Sequence, residues 1–146
     1  LMTKARQKRA DKASKLTENV ISRNKDMKLL IADDSKAMRL VIGHMLRQAG
    51  YRGHDIVEAA DGDEALAAIR KEDPDLIISD WNMPGKTGIE VLQQMRSEGI
   101  DTTFGFVTTE VSQEMRTLAQ DSGAAFLIGK PFTPEDFQRA LDDYLG

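Results

Sequence analysis

Five short apolar runs recur along the chain after residue 27, and each is rich in Ile, Leu, Val or Phe. They cover residues 28–32, 55–59, 75–79, 104–108 and 125–129. Apolar runs of this length that lack polar alternation are typical of parallel strands buried on both faces. The pattern therefore predicts five short strands in the interior of the protein.

Between these runs, apolar residues recur at the spacing of an amphipathic helix. The first such segment covers about residues 35–49, where Ser35 is the expected N-cap and Gly50 the expected end. Its apolar stripe consists of Met38, Val41, Ile42, Met45 and Leu46. The sequence therefore predicts a helix directly after the first strand.

Four further helices are predicted from the same spacing. Their stripes are Ala65, Leu66 and Ile69; Ile89, Val91, Leu92 and Met95; Val111, Met115, Leu118 and Ala119; and Phe137, Ala140, Leu141 and Tyr144. Asp61 is the expected cap of the second helix, Gly99 and Gly123 end the third and fourth, and Thr133-Pro134 begins the fifth. Strands that alternate with helices form βα units around one sheet. The predicted fold class is therefore α/β, a single doubly wound (βα)5 parallel sheet covered on both faces.

The length of 146 residues fits one domain, which we place at residues 27–146. No output segment that binds DNA or performs catalysis is expected after the last helix. The absence of cysteine excludes disulfides and thiolate chemistry, and two histidines, His44 and His54, are too few for a histidine-rich metal site. No apolar run approaches the roughly 20 residues of a membrane span, and the N-terminus lacks the apolar part of a secretory signal. We therefore expect a cytoplasmic protein.

Charge divides the chain into a basic arm and an acidic body. Residues 1–28 contain nine Lys/Arg and three Asp/Glu, whereas the remainder contains eleven and twenty-one. An acidic body binds nucleic acid poorly, so nucleic acid is expected as a partner only through the arm, residues 1–26. Two structures are predicted for the arm. It is either a helix, which would dock on a partner, on an anionic surface or on the domain's own acidic face, or it is a solvated extension. The stripe that supports the helix consists of Ala13, Leu16, Val20 and Ile21.

Polar residues suited to metal and phosphate chemistry lie at the ends of four predicted strands. Asp33-Asp34 follow the first strand, Asp80 the third, Thr108-Thr109 end the fourth and Lys130 follows the fifth. In an open parallel sheet, ligands bind beyond the carboxyl ends of the strands. Carboxylates offer the hard oxygen ligands that Mg²⁺ prefers, and a lysine suits a phosphoryl oxygen. With Mg²⁺ bound, Asp80 could attack phosphorus and form an acyl phosphate.

These residues resemble the receiver domain of two-component response regulators, and the resemblance covers about residues 27–146. The motif positions are Asp33-Asp34, Asp80 ahead of Met83-Pro84, Thr108 after Phe106-Val107, and Lys130-Pro131-Phe132. The resemblance implies the flavodoxin-like strand order 2-1-3-4-5, in which strands 1, 3, 4 and 5 are consecutive. Their polar ends would then surround one pocket.

The resemblance also implies roles for the acids. Asp80 becomes the phosphoacceptor for the phosphohistidine of a histidine kinase or phosphotransfer protein. Asp33 and Asp34 bind Mg²⁺ together with Asp80 and the main-chain carbonyl of Asn82. The protein would then assist its own phosphorylation and dephosphorylation without being an enzyme that turns over a substrate.

The resemblance further implies which residues respond to phosphorylation of Asp80. Thr108 becomes the switch hydroxyl, and Lys130 contacts the phosphoryl group. The Lys130-Pro131 peptide bond is expected to be cis, and Asn82 and Glu110 occupy positions that tune the lifetime of the aspartyl phosphate. Output to a downstream protein target would use the face formed by the fourth helix, the fifth strand and the fifth helix.

Two positions depart from the family pattern. Receivers usually carry Tyr or Phe three residues before the lysine, where this chain has Leu127, and Ala or Gly after the switch hydroxyl, where it has Thr109. The family couples movement of the hydroxyl to rotation of that aromatic ring. Alternation along the strand directs Phe126 to the other face, so it is a poor substitute.

Three other functions compete with that of a phosphorylation switch. A receiver-like scaffold without phospho-switching is favoured by Leu127 and Thr109 but opposed by the intact acids. A Mg²⁺-dependent phosphatase of the haloacid dehalogenase type needs an Asp-x-Asp pair, and the residue two positions after Asp33 is Ser35. A flavodoxin-type flavin module needs a Ser/Thr- and Gly-rich phosphate loop, and the acidic segment after the first strand has the wrong charge.

Overall fold

A computed structural model of the protein describes residues 27–51 and 55–142, and in these ranges five strands alternate with five helices. The elements are β1 (Lys28–Ala32), α1 (Lys36–Gln48), β2 (Asp55–Ala59), α2 (Gly62–Glu72), β3 (Leu76–Asp80), α3 (Gly88–Ser97), β4 (Thr103–Thr108), α4 (Gln113–Asp121), β5 (Phe126–Gly129) and α5 (Pro134–Asp142). The predicted arm at residues 1–26, together with His54 and Tyr144, lies outside the described residues.

The strands form one parallel sheet in the order β2-β1-β3-β4-β5. This result confirms the predicted fold class and strand order. The chain leaves β1 for β2 on one side of the sheet and later returns to β3 on the other side. The loops after β1 and β3 therefore separate at the carboxyl edge of the sheet, which is where open α/β sheets bind ligands.

Each face of the sheet carries its own apolar layer, because successive strand residues point to opposite faces. On one face Leu30, Ile77 and Phe106 pack with residues of α2 and α3. On the other face Leu29 and Ile78 pack with residues of α1 and α5. With both faces covered, the strands need apolar residues at every central position, which explains the continuous runs in the sequence.

Side-chain caps fix where the helices begin. The Ser35 hydroxyl accepts a hydrogen bond from the Met38 N–H at 3.2 Å, and the Asp61 carboxylate accepts one from the Glu64 N–H at 2.7 Å. Thr133 accepts from the Asp136 N–H at 3.2 Å, directly before the first residue of α5, Pro134. Each cap satisfies an amide that has no partner within its helix. The predicted caps are confirmed.

The predicted stripes of the first and fourth helices were partly wrong. Val41 is 40% exposed and Leu118 41% exposed, and Val111 precedes the first residue of α4. Within α4, Ala119 is the buried residue. The stripes are wider than the area of sheet that these helices cover, so their margins face solvent. Strand boundaries differed from the predictions by one residue at most.

Within residues 27–51 and 55–142, no helix is both long enough and apolar enough to cross a bilayer.

Gly88, the first residue of α3, brings this helix close to the end of β3. A Cβ atom on Gly88 would lie 2.2 Å from the main-chain oxygen of Asp80 and 2.9 Å from the Phe106 ring. We expect Gly88→Ala to lower the free energy of unfolding by roughly 1–3 kcal/mol, because the backbone at Asp80 must move. Chemical denaturation measures the change.

Gly43→Ala is the matched control, since Gly43 is also helical and a Cβ there meets only ordinary contacts at 3.6 and 3.9 Å. It is expected to stabilise the protein by roughly 0.5–1 kcal/mol, the usual gain from replacing glycine inside a helix. Equal effects of the two substitutions would contradict the close approach at Gly88.

Candidate metal centre

Three aspartates meet at the carboxyl edge of the sheet. Asp33 and Asp34 follow β1, and Asp80 is the last residue of β3. One carboxylate oxygen from each lies within 4.8 Å of the others. Asp33 is buried, Asp80 is half-buried and Asp34 is exposed. The predicted acids are thus brought together, close enough to share one cation.

Lys130 joins two of these acids from the end of β5. Its Nζ atom lies 3.1 Å from Asp33 Oδ2 and 3.3 Å from Asp80 Oδ2. The lysine side chain is only 12% exposed, so water screens these ion pairs less than it would at an open surface. The main-chain N–H of Lys130 donates to the Thr108 carbonyl at 2.7 Å, which holds the lysine beside β4.

Asp33 is the most firmly held residue of the site. Its main-chain N–H donates to the Ala59 carbonyl at 3.0 Å, and its Oδ1 atom accepts from the Ser35 N–H at 2.9 Å. Its Oδ2 atom accepts from Lys130. A buried carboxylate needs such donors because burial removes its hydration. Asp33 is therefore oriented before any ligand arrives.

Burial raises the pKa of the Asp80 carboxyl above its ordinary value. The positive charge of Lys130 opposes this change and lowers the pKa, the negative charge of Asp33 raises it, and hydrogen bonds from Lys130 and the Trp81 N–H lower it. Burial and the neighbouring anion together outweigh the lysine. Asp80 thus lies in a setting where a further cation would relieve the cost of its charge.

Thr108 is fully buried at the end of β4, and its hydroxyl accepts from the Glu110 N–H at 3.4 Å. It follows Val107, which pairs with Asp80 across the sheet. Thr109 is exposed beyond it. Asn82 lies two residues after Asp80 in an exposed position of the loop that leads to α3.

The Lys130-Pro131 peptide bond is cis, as the resemblance implies.

The aromatic residues around the site face inward. The Trp81 and Phe106 rings have centroids 4.7 Å apart, and Phe104 lies 5.1 Å from Phe106. Leu127 packs on this same layer, whereas Phe126 packs on the opposite face of the sheet. The expected opposite orientation of Leu127 and Phe126 is confirmed. The Trp81 ring thus forms an apolar contact beside the site.

Arg39 is a site neighbour that sequence reasoning missed. Its Nη1 atom donates to the Asp33 carbonyl oxygen at 2.6 Å, and its Nε atom donates to Glu58 at 2.9 Å. Arg39 lies in the first turn of α1 and Glu58 in β2. Helical spacing places Arg39 one turn after the cap Ser35, but only the sheet order brings Glu58 next to it.

The donor set fits Mg²⁺. It consists of carboxylate oxygens, the hard ligands this ion prefers, and it combines one buried acid with one exposed acid that leaves access for water ligands. The ion usually keeps several waters and binds through one or two carboxylates together with phosphate oxygens. A thiolate ligand, which would favour a softer metal, is excluded because the chain contains no cysteine.

Comparison with known proteins agrees with this geometry. Residues 29–142 match the response regulator receiver domain family. The chain is 37% identical over 121 residues to chemotaxis protein CheY-3 of Vibrio cholerae, covering 82% of this chain and 92% of that protein. It is 39% identical over 123 residues to the chemotaxis protein CheY homolog of Campylobacter jejuni, covering 82% and 93%.

A solved structure supports the same assignment. The chemotaxis response regulator CheY4 of Vibrio cholerae has a TM-score of 0.72 and 37% identity to this chain, covering 83% of this chain and 100% of that one. Sequence and structure therefore agree over most of the chain, and the chain belongs to the response regulator receiver domain family, as a CheY-like protein of two-component signalling.

Proposed function

We propose that Asp80 accepts a phosphoryl group from the phosphohistidine of a histidine kinase or phosphotransfer protein in a Mg²⁺-dependent reaction. The observation that carries this proposal is the meeting of three aspartate carboxylates within 4.8 Å, with Lys130 in contact with two of them. Asp80 is the half-buried member at the end of a strand, so one of its oxygens can face an incoming phosphorus atom. Asp33, Asp34 and the Asn82 carbonyl would hold the metal with it.

In the transfer, an Asp80 carboxylate oxygen forms a bond to phosphorus as the bond from phosphorus to the donor imidazole nitrogen breaks. The electron pair of that bond leaves with the imidazole. When bound by the three aspartates, Mg²⁺ would neutralise part of the charge on the phosphoryl oxygens. Lys130 is close enough to Asp80 to contact one of these oxygens, and its charge would compensate the added negative charge. Asp33 keeps Lys130 in place.

Thr108 is proposed as the residue that responds to the charge of the phosphoryl group on Asp80. It is buried beside the strand that carries Asp80, and among the described residues its hydroxyl makes a long, 3.4 Å contact with the Glu110 N–H. A hydroxyl held this weakly can turn to donate to a phosphoryl oxygen. By strand alternation Thr108 shares its face with Phe106, which pairs with Leu127 on β5. Movement at Thr108 would therefore reach the surface formed by α4, β5 and α5, where a downstream protein would bind.

A scaffold that binds its partner without phospho-switching is the second candidate. The observation in its favour is Leu127, an aliphatic side chain packed in the core layer at the position where receivers carry the rotating aromatic. Turnover of a phosphomonoester substrate has no such support, because the residue after Asp34 is the helix cap Ser35. We therefore propose a signalling role and not that of an enzyme.

Asp80→Asn is expected to abolish phosphoryl uptake from acetyl phosphate, because an amide is too poor a nucleophile to form the acyl phosphate. Uptake of acid-labile radioactive phosphate in the presence of Mg²⁺ measures this. Asp55→Asn is the control, since Asp55 is exposed at the opposite end of the sheet. Equal labelling of Asp80→Asn and the wild-type protein would refute the proposed acceptor.

Asp34→Asn is expected to weaken Mg²⁺ binding by about tenfold or more, since a charged oxygen ligand is lost from the site. The Asp34 side chain is exposed, so the free energy of unfolding should change by about 0.5 kcal/mol or less. Calorimetric titration with Mg²⁺ and chemical denaturation measure the two quantities. Unchanged Mg²⁺ affinity would remove Asp34 from the metal site.

Beryllofluoride with Mg²⁺, which mimics the phosphoryl group, is expected to shift amide resonances beyond the site. We predict changes from Thr108 through Val111 and along β5 in a two-dimensional NMR spectrum. Asp80→Asn under the same conditions is the control. Changes confined to the loops around the three aspartates would favour the scaffold over the switch.

A further inference from the structure

Arg39 connects the acid cluster to the edge strand of the sheet. Its guanidinium donates to the Asp33 carbonyl oxygen at 2.6 Å and to Glu58 Oε1 at 2.9 Å. The arginine side chain is 13% exposed, whereas that of Glu58 is 47% exposed. A planar guanidinium that donates in two directions is held more rigidly than a single-contact cation. Arg39 is therefore a fixed group beside the site, although it is not one of its acids.

The oxygen that Arg39 contacts belongs to the peptide bond between Asp33 and Asp34. Asp33 itself is held through its amide and both carboxylate oxygens. Asp34 is exposed, so the direction of its carboxylate depends chiefly on the orientation of the backbone that carries it. A hydrogen bond to the carbonyl between these residues restrains the rotation of that peptide plane. Arg39 thus acts on the one acid of the cluster that the surrounding protein does not enclose.

We propose that Arg39 is a positioning residue of the Mg²⁺ site, which orients Asp34 through the carbonyl of Asp33 and is itself held by Glu58. This inference rests on the proposed function, because it presupposes that the three acids bind Mg²⁺. It assigns Arg39 no contact with the metal or with the phosphoryl group.

Positioning and simple charge predict opposite results, which makes the inference testable. If Arg39 acted only as a positive charge near the acids, its removal would strengthen Mg²⁺ binding, since like charges repel. If Arg39 orients the acids, its removal weakens Mg²⁺ binding, as happens when residues behind metal ligands are replaced. A substitution that keeps the charge but not the forked geometry isolates the positioning effect.

The experiment titrates the wild-type protein, Arg39→Lys and Arg39→Gln with Mg²⁺ alone. Calorimetry gives the affinity, and the fluorescence of Trp81, the single tryptophan of the chain, reports the environment next to Asp80. Arg70→Gln is the matched control, because Arg70 on α2 also pairs with a glutamate, Glu98, which directly follows α3 and lies away from the acids. Thermal melting of each variant shows whether it is folded.

We expect Arg39→Lys and Arg39→Gln each to weaken Mg²⁺ binding by roughly tenfold, while Arg70→Gln binds as the wild type does. Unchanged affinity in Arg39→Lys, or tighter binding in Arg39→Gln, would overturn the positioning role. Failure of the wild-type protein to bind Mg²⁺ would instead overturn the proposed function. If Arg39→Gln does not fold, Arg39→Lys alone decides the question, since it keeps the positive charge.

Discussion

Two aspartates at the ends of neighbouring strands share one lysine, and the geometry of the site depends on this contact. Carboxylates within 4.8 Å of one another repel by roughly 3 kcal/mol for an ionised pair at the effective dielectric of a protein surface, and by less where water screens the exposed Asp34. Lys130 lies 3.1 and 3.3 Å from two of them and offsets part of that repulsion. The remaining excess of negative charge is what makes the site attractive to a divalent cation.

The strand order makes this contact possible. Lys130 follows β5, Asp80 ends β3 and Asp33 follows β1, and these positions are far apart along the chain. In the order β2-β1-β3-β4-β5, all three strand ends lie on the same edge of the sheet. The side chains with functional chemistry lie at that edge, while the strand interiors contribute the buried core. The interiors of the strands thus supply the stability, and their carboxyl ends supply the chemistry.

Between the site and the surface formed by α4, β5 and α5, one core position of β5 differs in residue type from the family pattern. Leu127 replaces the usual aromatic residue of β5, and its partner across the strand pair is Phe106. Phe106 is fully buried and contacts the Trp81 ring at a centroid distance of 4.7 Å. On this face of the sheet the aromatic bulk therefore lies beside β3, the strand that ends in Asp80, and an aliphatic side chain occupies the paired position on β5.

The sequence by itself determined the elements and the chemistry of their ends. Continuous apolar runs predicted the buried strands, because a sheet covered on both faces requires apolar residues at every central position. The helix caps followed from local hydrogen bonding between a side chain and an amide three residues later. The acids Asp33, Asp34 and Asp80 were identified because charged residues directly after buried strands need ligands or counter-ions.

Only the tertiary structure decided which helix residues are covered and which side chains meet. Val41 and Leu118 belong to the apolar stripes of their helices yet are exposed. Their burial depends on how far the sheet extends beneath each helix. The hydrogen bonds of Arg39 to Asp33 and Glu58 join a helix to β2 and to the residue that follows β1, and the glutamate in β2 has no local sequence signal. Periodicity and capping act over a few neighbouring residues, whereas contacts between distant segments depend on how the whole sheet is assembled.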